Sequence, residues 1–64
     1  MSIGDIVKLK SGGPLMTITF IEYDFVLMGE QCFCTWFEKE VVRRDKFASD
    51  SLEKYSQIMI NNDK

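Results

Sequence analysis

Gly4-Asp5-Ile6-Val7-Lys8-Leu9-Lys10-Ser11-Gly12-Gly13-Pro14-Leu15-Met16-Thr17 decides the fold. Val7 and Leu9 alternate with Lys8 and Lys10, the period of a half-buried strand with its lysines in water. Ser11-Gly12-Gly13-Pro14 then interrupts the strand. The glycines accept the positive φ of a tight reversal, and Pro14 sets the re-entry into extended chain. A second alternation starts at Met16. The stretch predicts a hairpin at the head of an all-β domain.

The rest of the chain extends that pattern. In the second strand, over residues 16–21, Met16, Ile18 and Phe20 share one face and Thr17, Thr19 and Ile21 the other. Glu22-Tyr23-Asp24 reads as a polar break. Phe25-Val26-Leu27-Met28 is wholly apolar and ends at Gly29-Glu30, as a short strand or one arm of a loop. Residues 31–37 read as the central strand. Cys32, Cys34 and Trp36 face one way, and Phe33, Thr35 and Phe37 the other. Glu38-Lys39-Glu40 predicts a turn, and residues 41–47 a fourth strand. Ser49 or Asp50 then reads as a helix cap, with Glu53 three residues beyond Asp50 as in a capping box. Leu52, Tyr55 and Met59 would line one face of a helix reaching about residue 60.

The expected architecture is a small all-β barrel of four to five antiparallel strands with a short C-terminal helix. It forms one domain over residues 1–60, with residues 61–64 as a frayed tail. Val7, Leu9, Met16, Ile18, Phe20, Cys34, Trp36, Val42 and Leu52 are its expected core.

Size and charge narrow the function classes. The chain has 64 residues, of which 45% are hydrophobic, and a net charge of −2. A domain this short buries only about 60% of its unfolded surface, so its stability margin is thin. No apolar run reaches the roughly 18 residues of a membrane span. No basic segment followed by an apolar run marks a secretory leader, so a cytoplasmic protein is expected. Cys32 and Cys34 are two apart, so an extended strand puts both on one face at a Cα separation of about 6.5–7 Å. A disulfide prefers about 5.5–6 Å, and the pair reads as reduced, buried small hydrophobes. With no histidine and two thiols, a zinc site would need carboxylates or a second chain to complete it, and no cofactor is expected.

Gly4-Asp5-x-Val7-x-Leu9-Lys10-Ser11-Gly12-Gly13-Pro14-x-Met16-Thr17, with Cys34-x-Trp36-Phe37, Phe47 and Leu52, is similar to the YodC-like family of small bacterial proteins. The likeness runs over roughly residues 3–53. It implies a compact SH3-like β-barrel and no particular activity. The chain departs from the family pattern in an unusually apolar loop over residues 22–31 and in a tail after Tyr55.

Catalysis is not expected. The usual neutral-pH base is missing, and Ser11 has no partner to activate it. The Gly12-Gly13 turn leads into a strand rather than a helix N-terminus, so it reads as a hairpin and not a phosphate cradle.

The favoured reading is a non-catalytic module that binds another protein or forms a homodimer. Its candidate contacts are Tyr23, Phe25, Val26, Leu27 and Met28, with the Phe33 and Phe37 face. Residues 23–28 are either an exposed patch or a satellite cluster folded over an open barrel end.

The alternative is a nucleic-acid module. Small barrels with a Gly-Asp-x-Val opening resemble KOW-type domains. Lys8, Lys10, Arg43, Arg44 and Lys46 could supply a basic stripe if the first and fourth strands lie close, with Phe33 or Phe37 for stacking. The acidic balance, 10 carboxylates to 8 basic residues, opposes it. A third expectation is a small inhibitor encoded by a mobile element, presenting carboxylates to a nucleic-acid enzyme.

Overall fold

The protein is seen in a computed structural model that describes residues 1–55. Five strands form one open antiparallel sheet. They are β1 (Ile6–Leu9), β2 (Met16–Asp24), β3 (Gly29–Glu38), β4 (Val41–Ala48) and β5 (Leu52–Lys54). The spatial order is β4-β3-β2-β1-β5. The first four strands follow one another as a meander, and β5 returns to pair with β1.

The opening hairpin forms as the alternation requires. Ile6 pairs with Thr17 and Val7 with Met16. Gly12 and Gly13 take φ of 113° and 115°, which L side chains rarely adopt, and Gly12 N–H closes the turn onto the Leu9 carbonyl at 2.9 Å. Ahead of β1 the pairing continues, with Gly4 N–H donating to Ile18 O at 2.8 Å and Ile18 N–H to Asp5 O at 3.0 Å.

The core is small. Val7, Met16, Ile18, Cys32, Cys34 and Leu52 are buried, with Leu9, Ile21, Trp36 and Phe47 packed partly against them. The cysteine pair is free and buried, as its same-face spacing predicts.

Phe20 leaves the expected core, with 53% of its surface exposed. The β2–β3 register shifts between Ile18 and Phe20, so one extra residue sits in β2. A shift of one residue exchanges the faces of everything beyond it. Ile21 therefore turns inward, and Phe20 turns out to pair with Phe33. Val42 is also misplaced, being 45% exposed opposite Phe37. The supposed break at residues 22–24 is the continuation of β2, and residues 25–28 form the turn into β3.

The expected C-terminal helix does not begin at Ser49 or Asp50. Ser49–Ser51 is a single 3-10 turn, and Leu52–Lys54 is strand. The open edge of β1 supplies the reason. Lys10 N–H donates to Ser51 O at 2.9 Å and Tyr55 N–H to Ile6 O at 2.8 Å, on either side of the β1–β5 ladder. Leu52 meanwhile fills the core. Tertiary pairing overrides a local capping pattern, because satisfying β1's edge gains more than one isolated helical turn. The remainder of the expected helix, residues 56–60, and the expected frayed tail, residues 61–64, lie outside the described residues.

Candidate functional site

Two surfaces carry the chemistry that the core does not use. The first is the turn between β2 and β3. Asp24 organises it by accepting the backbone N–H groups of Val26 at 2.9 Å and Leu27 at 3.0 Å on one carboxylate oxygen. Met28 completes the reversal at φ 57°, a left-handed geometry that a methionine adopts at a cost. Phe25, Val26, Leu27 and Met28 are 79%, 90%, 67% and 73% exposed, so they do not fold back over the sheet. Tyr23, half exposed, meets Phe25 edge-on with ring centroids 4.9 Å apart. The tip is a preformed apolar projection, with Glu22, Asp24 and Glu30 at its neck.

The second surface is the outer face of the β2–β3–β4 meander, opposite the core. Cross-strand pairing aligns Phe20 with Phe33 and Lys46, and Thr17 with Thr35 and Arg44. The Phe20 and Phe33 rings are 5.7 Å apart, and Lys46 Nζ lies 5.5 Å from the Phe33 centroid. Thr19, the residue at the register shift, donates its hydroxyl to Phe33 O at 3.3 Å. A shallow depression of about 600 Å³ opens here, lined by Thr19, Phe33, Cys34, Thr35, Arg44, Asp45 and Lys46.

The candidate protein contacts thus fall in different places. Residues 23–28 cluster at the tip. Phe33 is half-buried in mid-sheet, and Phe37, 73% exposed, sits at the far end of β3, about 30 Å along the strand from Met28. The candidate basic residues also disperse. β2 and β3 lie between β1 and β4, so Lys8 and Lys10 are not beside Arg44 and Lys46. Lys8 pairs with Glu53 at 3.7 Å, Arg43 with Glu38 at 3.3 Å, and Lys46 with Glu22 at 3.6 Å. Arg43 lies opposite Trp36, on the core side of β4, while Arg44 and Lys46 point to the outer face. Such exposed pairs each contribute about 0–1 kcal/mol to stability, yet they offset the charges that a basic stripe would need.

Alternation already sets Thr19 and Thr35 on the faces opposite the expected core, whereas Phe20, expected in that core, joins them only through the register shift, for which the sequence carries no signal.

The thiols offer little reactivity. Burial pushes both pKa values up, with Glu30 adding to the effect at Cys32 and Cys32 adding to it at Cys34. A protonated thiol is a poor nucleophile and a poor metal ligand. Among the described residues no three His, Cys, Asp or Glu side chains cluster as a metal site would require, and no helix is long and apolar enough to cross a membrane.

This combination defines a small all-β protein built on one antiparallel sheet, with its distinctive features on the surface. The chain belongs to the family described as "Uncharacterized small protein (DUF2158)", whose family model matches residues 2–52. Neither a curated protein nor a solved structure matches the chain.

Proposed function

We propose that this chain is a non-catalytic binding module that docks another protein through residues 23–28. The observation that carries the reading is the exposure of Phe25, Val26, Leu27 and Met28, each two-thirds or more in water on one tightly closed turn. Contiguous apolar exposure of this kind is costly in water and marks interaction surfaces. The Asp24 hydrogen bonds hold the turn in shape before a partner arrives, which lowers the ordering cost of association. A projection of this form fits a concave site on its partner.

The finer fold reading is an SH3-like barrel of the YodC-like kind. It is supported by the return of β5 to β1, which draws the end of the meander back toward its beginning. Two free, buried thiols favour a reducing compartment, the cytoplasm.

The test compares the wild-type chain with Leu27→Asp in affinity capture from a lysate of the source cells, alongside light scattering for self-association. The expected result is a partner, or a second copy, held by the wild type and released by the variant, with circular dichroism unchanged. A wild-type monomer that captures nothing sinks the proposal, as does a partner held equally by both.

A further inference from the structure

We propose that the outer face of β2–β3–β4 binds a nucleotide unit, with its base against Phe33 and its phosphate at Arg44 and Lys46. This site is separate from the β2–β3 tip and does not depend on the reading of that tip.

Three observations converge on it. The first is space: the depression of about 600 Å³ is within the range of small-ligand sites, about 300–1,000 Å³. The second is an aromatic surface that the fold does not need for packing. Phe33 is only half-buried, and Phe20 flanks its ring. Lys46 already rests its ammonium near that ring, so the site holds a cation and a π-surface together. The third is charge. Arg44 is exposed and, like Lys10 and Lys39, forms no ion pair among the described residues, whereas Lys8, Arg43, Lys46 and Lys54 each have a carboxylate partner. Arg44 sits diagonally from Phe33, a cross-strand offset of about 7–8 Å that suits a base and its own phosphate.

The register shift in β2 gives the site its form. Irregularities of this type re-aim side chains and gather next to functional surfaces. Here the shift turns Phe20 outward beside Phe33 and sets Thr19 at the rim. Thr35, next to Phe33 on β3 and opposite Arg44, supplies a neutral hydroxyl between the ring and the cation, while the Thr19 hydroxyl on the β2 side is already given to Phe33 O.

The acidic groups around the site set its strength. Asp45 lines the depression, but one of its oxygens accepts the Lys46 N–H at 2.8 Å. Glu22 holds the Lys46 ammonium, and an arriving phosphate competes for it. Binding is therefore weak, with a dissociation constant of about 10⁻⁴ M, in the range of non-specific nucleic-acid binding. Two phosphate-facing cations predict a log–log salt slope of about −1.4 for a single strand, or about a ninefold loss of affinity between about 20 and about 100 mM salt.

The experiment is fluorescence anisotropy with labelled hexauridylate and hexathymidylate, and competition by uridine monophosphate. Arg44→Ala is expected to weaken binding and to bring the slope to about −0.7. Phe33→Leu is expected to weaken it about fivefold or more, the loss of one stacked base. Arg43→Ala, on the core side of β4, and Leu27→Asp, at the tip, are expected to stay within about twofold of wild type by the same electrostatic reasoning. Trp36 fluorescence verifies that each variant is folded. Competition by the mononucleotide points to a free nucleotide and its failure to a strand, and either result supports the shared chemistry. No anisotropy change at low salt overturns the proposal. So does an Arg43→Ala effect equal to that of Arg44→Ala, or displacement by an acidic hexapeptide as readily as by the nucleotide.

Discussion

Ile18 and Leu27 are aliphatic side chains of equal carbon count in opposite surroundings. Ile18 is 1% exposed at the centre of the core, and Leu27 is 67% exposed at the β2–β3 tip. The core around Ile18 combines burial with sheet pairing, including Ile18 N–H to Asp5 O and Gly4 N–H to Ile18 O, and its fully buried members are few. The tip around Leu27 is held by backbone geometry, through two hydrogen bonds to Asp24 and a strained Met28. One region makes the fold. The other spends stability to keep apolar side chains in water. That contrast is why the tip, and not the core, is read as functional.

Truncating each region in turn would break the comparison if it is false. Ile18→Ala has the largest expected effect, a loss of about 2–5 kcal/mol, measured by urea denaturation followed through Trp36 fluorescence. In a chain of this size such a loss unfolds much of the population at room temperature. A loss below about 1 kcal/mol would mean that the core is not where the structure puts it.

Asp24→Ala should cost about 1 kcal/mol, because two backbone N–H groups at the tip lose their acceptor to water. Amide hydrogen exchange should rise at Val26 and Leu27 while the β1–β2 ladder stays protected. Exchange rising everywhere would show that the tip and the core are one cooperative unit, contrary to the distinction drawn above.

Met28→Gly is expected to stabilise the fold by up to about 1 kcal/mol, since glycine takes φ 57° without steric cost but loses chain entropy. Stabilisation combined with loss of partner capture would sharpen the contrast, by showing that the methionine is kept for its side chain. Leu27→Ala completes the series. It should shift stability by no more than about 0.5 kcal/mol, as surface substitutions do.

Much of the fold was legible in the residues. The alternation at Val7 and Leu9, the Gly12-Gly13 reversal, and the double-faced strand carrying Cys32, Cys34 and Trp36 all placed their elements well, because strand period and turn chemistry are local properties. The apolar segment within residues 23–28 was legible too, as the unbroken run Phe25-Val26-Leu27-Met28 ahead of Gly29-Glu30. Whether it lay open or folded back was not, since both arrangements share one sequence pattern. Phe20 was misassigned because alternation extrapolates a constant period, and the extra residue after Ile18 breaks it. The capping pattern at Asp50 and Glu53 was sound helix chemistry that lost to an unpaired strand edge distant in sequence.

By itself, the order of apolar and polar residues determined that this chain makes short antiparallel strands, where it reverses, and which side of β1 and β3 turns inward. Only the assembled sheet decided that Leu52 closes onto β1 as a strand, that Phe20 joins Phe33 on the outer face, and that Arg44 and Lys46 share that face without Lys8. The physical reason is distance along the chain. Local sterics and period act over a few residues, whereas register, edge pairing and the grouping of charges arise between strands that meet only after folding.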